Sequence, residues 1–393
     1  MKIDNMLEKG GDLFHQDPKK VGEQLFQAVL ESAIRQYEKC NLYRQLCKQK
    51  NFDPHRDLKS AKNFKDITYL TTPNFKRQKG RPKEFLSVPE SEIKLWATSS
   101  GTSGDPSMIG RDQVTLQRFF KTMDITYKEV WNLKDYQWTL LFVPPIPQQA
   151  PDDKKPVTAP IMLWILDATN KIPMKDRIYA LRLATDAEKA ASGRPYIPDV
   201  KTVLSFLKSG PSKKGIGYIN GSAPLLYSLF AQIYKETGET FNVGEKTVIA
   251  SGGGWKTYSG QEVTKAEFRG LMTKVLGVQD QNVHDLYAFT EMDCVFAECE
   301  HHNKHVPPWC DVIVRDFKTL EPVPVGEKGL FNVINPLAHS YAGISILQDD
   351  VVRIAMEDGC PCGRRGKVLE VIGRAAGAEA KGCGAQLAEE TAS

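Results

Sequence analysis

From Val21 onward the apolar positions return at helical spacing. Val21, Leu25, Ala28 and Val29, then Ala33, Ile34 and Tyr37, predict helix through residues 20–50 with one face in a core. Residues 41–81 continue as mixed helix and loop of moderately basic character. The period then changes. Ile93, Leu95 and Ala97 alternate over a short strand, and Met108 and Ile109 mark a second. Asp112 stands where an N-cap belongs, ahead of an amphipathic helix over 113–131 carrying Val114, Phe119, Phe120, Met123, Tyr127 and Val130. LLFVPPIP reads as strand, the Pro-rich charged stretch 147–156 as a surface loop, and APIMLWILDAT as a buried strand or helix. KTVLSFLKSG is helical, and KKGIGYINGSAPLLYSLFAQIYKETG gives strand, glycine-bearing turn and helix. Further on, strands fall at Gly329–Ile334 and Ile344–Leu347.

Composition narrows the classes. The 393 residues, 41% hydrophobic and 25% charged, suffice for one large domain or two medium ones with a sizeable core. A net charge of +4 over this length argues against a dedicated nucleic-acid binder. The opening MKIDNMLEKGGD has no apolar stretch of the signal-peptide kind, and the apolar run near Ile161–Leu166 is too short to span a bilayer. Eight cysteines without an export signal point to a reducing cytoplasm, where Cys serves metal or chemistry more often than cross-links. Cys40 and Cys47, with no His or Cys partner nearby, read as core fillers.

The candidate chemistry starts at Glu92–Asp112. Between its two strands stand Thr98, Ser99, Ser100, Gly101, Thr102, Ser103 and Gly104, all small or hydroxylated. Glycines let backbone N–H groups converge and the hydroxyls add donors, which suits a phosphate chain. The P-loop spelling is absent, because Asp105-Pro106 follows Gly104 where a Lys is required. Read alone, the stretch also fits a flexible surface loop. Its spelling resembles the nucleotide-phosphate loop of the adenylate-forming superfamily, [ST]-[ST]-G-T-[ST]-G-x-P. Upstream, Tyr43-Arg44 and Phe75-Lys76 resemble the N-terminal part of acyl-protein synthetases and phenylacetate–CoA ligases.

The resemblance continues in order along the chain. The run Thr247–Lys256 ends in Gly252, Gly253, Gly254, Trp255 and Lys256, similar to the turn that packs on adenine, in a spelling closest to acyl-protein synthetases. Tyr287-Ala288-Phe289-Thr290-Glu291 resembles Y-G-x-T-E, which implies Thr290 on a phosphate oxygen, Glu291 on Mg²⁺ and Tyr287 near adenine. Asp350 aligns with the ribose-binding aspartate, and Arg374 in VIGRAAG with the hinge arginine. Gly215, Gly217 and Gly221 do not spell G-x-G-x-x-G and imply no dinucleotide.

Four of the seven histidines fall between His284 and His305, with CPCG at Cys360–Gly363. Cys299, His305, Cys360 and Cys362 form the nearest four-ligand set for a structural zinc, with Cys310, His301 and His302 as spares; ordinary reduced cysteines are the other reading. The phenylacetate–CoA ligase branch has similar segments in these places.

Taken together, the resemblance implies an α/β fold: a large N-terminal adenylate-forming domain of packed mixed β-sheets and helices over 1–372, with 1–90 a helical entry segment. Residues 373–393 would be a short tail in place of the mobile C-terminal domain and its lysine, a charge for which Lys256 is the substitute. It implies ATP- and Mg²⁺-dependent activation of a carboxylic acid, most in keeping with a fatty acid, to acyl-AMP, then transfer to a thiol. Cys383, between Gly382 and Gly384 and near Lys381, stands where acyl-protein synthetases carry an acyl-accepting cysteine; a passive tail cysteine is the other reading. The final acceptor is a reductase, a carrier protein or CoA. The runners-up are a CoA or carrier-protein ligase and a catalytically silent ATP-binding protein.

Overall fold

Runs that are apolar on both faces build a parallel sheet. In the computed structural model, which describes residues 1–99, 105–143, 157–158, 161–193, 196–253 and 263–375, its strands lie in the order Phe296–Ala297, Val283–Tyr287, Val248–Gly252, Gly217–Ser222, Trp138–Leu141, Arg177–Tyr179. Neighbours pair in parallel except at Phe296–Ala297, which is antiparallel. Successive side chains enter different cores. Trp138, Leu140, Ile219 and Ile249 pack with residues of helices Val200–Lys208, Ala223–Thr237 and Lys265–Leu276. Leu141, Tyr218, Val248 and Ala250 join the larger core, which also holds the N-terminal helices.

Gly217 and Gly221 lie inside a strand, not in the turn that the sequence suggests, and Ala223–Thr237 follows directly with Ser222 as its N-cap. Gly217 stands opposite Trp138 in the register. A Cβ at Gly217 would come within 2.0 Å of Trp138 Cζ2, so the missing side chain is what lets the indole cross the neighbouring strand.

A second sheet is organised on the strand Ser345–Met356. One edge pairs antiparallel with Gly329–Ile334. The other takes Leu70–Thr71 in parallel (Leu70↔Ile346, Thr71↔Leu347) and then Val368–Arg374 antiparallel. Asp349 and Asp350, read from sequence as following the strand Ile344–Leu347, therefore lie within it. A third sheet holds the hairpin Ile93–Thr98 and Met108–Asp112, with Val157–Thr158 parallel to it.

The predicted helix through residues 20–50 is two helices, Pro18–Lys39 and Asn41–Gln49, because Cys40 adopts an extended backbone between them. Cys40 and Cys47 are buried, as core fillers should be. The first helix carries a buried polar residue, Gln36, whose amide donates to Ala338 O at 2.9 Å and accepts from Ile344 N at 2.9 Å. It thereby docks on the loop leading into Ser345–Met356. Asp112 caps Gln113–Val130 as predicted, accepting from Thr115 N at 2.8 Å. APIMLWILDAT resolves to the helix Ile161–Thr169, while residues 147–156 lie outside the described residues. Among the described residues, no helix is long and apolar enough to cross a membrane.

Candidate active site

The hairpin Ile93–Thr98/Met108–Asp112 is closed at its neck by two serines. Ser99 N donates to Ser107 O at 3.1 Å, and Ser107 N donates to Ser99 Oγ at 2.9 Å. Thr98 is buried just inside this neck, and Ser100, Gly101, Thr102, Ser103 and Gly104 lie outside the described residues. Gly252 ends its parallel strand level with Leu286, so Gly253 (φ +76°, the left-handed region) leaves the sheet beside Tyr287, which ends its own strand still paired with Phe296. Gly254 and Lys256 lie outside the described residues. The carboxyl ends of parallel strands are where open α/β sheets bind ligands.

Thr290–Asp293 is held by residues the sequence reading did not single out. Arg111, fully buried on the hairpin's second strand, donates from Nη2 to Thr290 O at 2.6 Å and to Met292 O at 3.1 Å. Its Nε meets Asp293 Oδ1 at 2.8 Å, with both side chains at 0% exposure. Asp293 Oδ2 accepts from Asn335 Nδ2 at 3.2 Å, and the Tyr341 hydroxyl lies 2.7 Å from it and 2.8 Å from Glu291 O. A buried ion pair costs desolvation unless its remaining lone pairs and protons are satisfied, and here most are. The hairpin bearing the phosphate-loop spelling and the turn bearing Thr290 and Glu291 are thus one rigid unit.

Glu291 is different. Its carboxyl is buried, yet Oε1 has no hydrogen-bond partner among the described residues. Burial pushes its pKa up, against the opposing pull of the Ser107 hydroxyl, Lys76 and Arg111. A buried carboxyl with an open oxygen beside the Ser99–Ser107 neck has room in its bonding to accept a cation.

On the other side, the Tyr287 hydroxyl donates to Asp350 Oδ2. Burial, then Asp350, pushes the Tyr287 phenol well above its ordinary range. Arg374 stands opposite Asp350 in the register, its Nε 3.7 Å from Asp350 Oδ1. Burial also raises the neighbouring Asp349 carboxyl, with Arg374 opposing.

Cys299, His305, Cys360 and Cys362 come together, their ligand atoms all within 4.8 Å of one another. His305 is placed by the short strand Lys304–His305 on Val368–Arg374, and the two cysteines by the turn entering that strand. Cys299 Sγ and Cys360 Sγ are 3.8 Å apart, and Cys362 Sγ lies 3.3 Å from His305 Nε2. Bonds of about 2.3 Å to sulfur and 2.0 Å to nitrogen give tetrahedral edges of roughly this length, so the donor set fits zinc. Asn303 Nδ2 donates to Cys360 Sγ and Arg364 N to Cys362 Sγ, each at 3.4 Å. The spares are elsewhere: Cys310 pairs with Cys294 (Sγ to Sγ 3.9 Å), and His302 bonds Asp280 at 2.6 Å.

The family model described as acyl-protein synthetase, LuxE, matches residues 12–392. The chain belongs to the acyl-protein synthetase family. It is similar to the long-chain-fatty-acid–luciferin-component ligases of Vibrio harveyi (25% identical, covering 93% of this chain and 88% of that one) and Aliivibrio fischeri (27%, 78% and 75%). A solved 2-hydroxyisobutyryl-CoA ligase, in complex with 2-HIB-AMP and CoA in the thioesterification state, shares the fold (TM-score 0.63, 15% identity, 92% of this chain and 70% of that one). An open form of that ligase gives a TM-score of 0.61 at 16% identity.

As an acyl-protein synthetase the chain is a ligase of the adenylate-forming kind, which activates an acid as its acyl-adenylate before passing the acyl group on. Of the predicted residues, the structure brings together Thr98, Ser99, Thr290 and Glu291 on one side, and Gly252, Gly253, Tyr287, Asp350 and Arg374 on the other. Cys383 lies outside the described residues. The missed Arg111 carries no decisive signal in the sequence, since it stands in the strand Met108–Asp112 beside a second charge, Asp112.

Proposed function

We propose that this protein activates a long-chain fatty acid with ATP and Mg²⁺ and passes the acyl group to a thiol, first that of Cys383. The acid's carboxylate oxygen bonds to the α-phosphorus of ATP. The bond from that phosphorus to the β-bridging oxygen breaks, and pyrophosphate leaves. A thiolate then attacks the acyl carbon and AMP departs. Buried Glu291, with its open Oε1 beside the loop neck, is the observation that carries this reading.

In this scheme Thr98–Gly104 donates to the β- and γ-phosphates and Thr290 to an α-phosphate oxygen. Gly252, Gly253 and Gly254 lie against the adenine, Tyr287 borders it, and Asp350, oriented by Tyr287 and Arg374, accepts from the ribose hydroxyls. Glu291 holds Mg²⁺, which neutralises charge on the phosphates when bound. Cys299, His305, Cys360 and Cys362 hold a structural zinc. Residues 1–372 form the adenylating body and 373–393 the acyl-carrying tail. The fatty-acid assignment rests on the luciferin-component ligases, and a reductase is the acceptor this favours.

The test is pyrophosphate–ATP exchange measured across fatty and aromatic acids, with mass spectrometry of the Cys383 peptide after incubation with ATP, Mg²⁺ and the best acid. Exchange with long-chain acids and one acyl mass on Cys383 is the expected result. Exchange with turnover by Cys383→Ser on added CoA or carrier protein moves the acceptor to that thiol, and no exchange with any acid overturns the assignment.

A further inference from the structure

Adenylation builds negative charge on the α-phosphoryl oxygens and the departing pyrophosphate, and needs a fixed cation there. The described part of the site contains a segment built to supply one. Thr72–Lys79 crosses it from one side to the other and is anchored at both ends. At the nucleoside side, Leu70–Thr71 pairs with Ile346 and Leu347, and Thr72 Oγ1 donates to Gln348 Oε1 at 2.8 Å. That sets the segment beside Asp349 and Asp350. At the phosphate side, Lys76 forms an antiparallel bridge with Ser107, and Arg77 N donates to Pro106 O at 2.9 Å. The Asp105 carboxylate accepts from Gln78 N at 2.9 Å and from Lys79 N at 3.0 Å. Asp105, which stands where a P-loop would have its lysine, thus clamps a lysine-bearing turn to the foot of the loop.

We propose that Lys76 is the adenylation lysine of this protein, its ammonium placed between the Glu291 turn and the Asp349–Asp350 strand, where the α-phosphate must lie. The inference rests on the nucleotide placement proposed above, in which ribose sits at Asp350 and metal-bound phosphates at Glu291. Those two anchors bracket the α-phosphorus, and the segment strung between them carries Lys76, Arg77 and Lys79, of which Lys79 sits at the Asp105 clamp and Lys76 is the one whose charge acts on both Glu291 and Asp349. Electrostatics agree. Burial raises the carboxyls of both Glu291 and Asp349, and Lys76 draws both back down, so its charge reaches both flanks. Lys76 acts through its charge and not as an acid or base. It offsets charge as the new oxygen–phosphorus bond forms and pyrophosphate leaves, and it takes no part in the thiol step.

The two half-reactions separate this role from a structural one. Lys76→Met should lower the maximal rate of pyrophosphate–ATP exchange by about 100- to 1000-fold, the effect of removing one preorganised charge, with a much smaller change in KM for ATP. Thioester formation from chemically prepared acyl-AMP should remain within about threefold of the parent, and Lys76→Arg should recover part of the exchange rate. Equal losses in both half-reactions, or a lowered melting temperature with no rescue by Arg, would make Lys76 structural and overturn the proposal. It is also overturned if Lys76→Met exchanges normally while Lys256→Met does not. A parent protein that exchanges pyrophosphate with no acid fails the broader functional reading instead, and Lys76 falls with it.

Discussion

The Glu291 turn and the Cys299–His305–Cys360–Cys362 cluster handle buried polar atoms in opposite ways. The cluster turns its donors inward, sulfur to sulfur at 3.8 Å and sulfur to nitrogen at 3.3 Å, a closed set that one ion can satisfy. The Glu291 turn fixes its backbone through Arg111, Asp293 and Tyr341, then leaves the one side-chain oxygen that matters unsatisfied. In the scheme proposed above, one region is finished by an ion that stays and the other is kept unfinished for a ligand that comes and goes. Rigidity is common to both; the difference lies in which atoms are left over.

This contrast predicts that mutations in the two regions separate activity from stability. The largest effect belongs to Glu291→Gln, which should cut pyrophosphate exchange by about three orders of magnitude, several kcal/mol of transition-state charge stabilisation. Its melting temperature should equal or exceed the parent's. Glu291 has a raised folded pKa, so the folded state holds that proton more tightly than the unfolded chain does. Ionisation therefore costs stability as pH rises above the ordinary 4.5, and the amide removes that cost at neutral pH but gains nothing below it. A marked loss of melting temperature at pH 7–8 would break the comparison.

Next comes Cys360→Ser, with the opposite signature. Elemental analysis should find one zinc per parent chain and little in the variant. Structural zinc sites contribute on the order of 10 kcal/mol, so even a part of that lowers the melting temperature by many degrees. Exchange activity per folded molecule should change little. A variant as stable as the parent would show that the cluster is finished without metal.

The smallest effect sharpens the picture inside the active site. Tyr287→Phe removes the hydroxyl that orients Asp350, a loss of about 1 kcal/mol, and should raise KM for ATP roughly fivefold with little change in kcat. An unchanged KM would remove Asp350 from the ribose.

How far the sequence shows all this depends on whether the requirement is local. The turns at Gly252-Gly253 and Thr290-Glu291 are legible because a local backbone conformation dictates neighbouring residues. So is the helix cap at Asp112, whose partner Thr115 is three residues away. The Arg111–Asp293 pair is not, since its members stand 182 residues apart and neither has a local consequence. The same holds for Gln36, which reads as one more polar position on a helix until the loop at Ala338–Ile344 is packed on it. The Cys/His cluster falls between: CPCG is a recognisable turn and the sequence already favours His305 over His301 and His302, but what places His305 against the turn is the pairing of Lys304–His305 with Val368–Leu369.

The pairing of Leu70–Thr71 with Ile346–Leu347 also sets a timetable for the protein's birth. Thr72 and its partner Gln348 are 276 residues apart, so at ribosomal speeds of about 5–20 residues per second the early segment waits roughly 15 to 55 s for its mate. Through that interval the nascent N-terminal helices carry an uncovered apolar face and a two-residue strand with an open edge, which is what holdase chaperones bind. The Asp350 side of the site cannot assemble before its own strand has been made, so a chain arrested before that point has no complete nucleotide site. Slow codons or cold should therefore lower the yield of soluble protein more than they lower the activity of each molecule that folds.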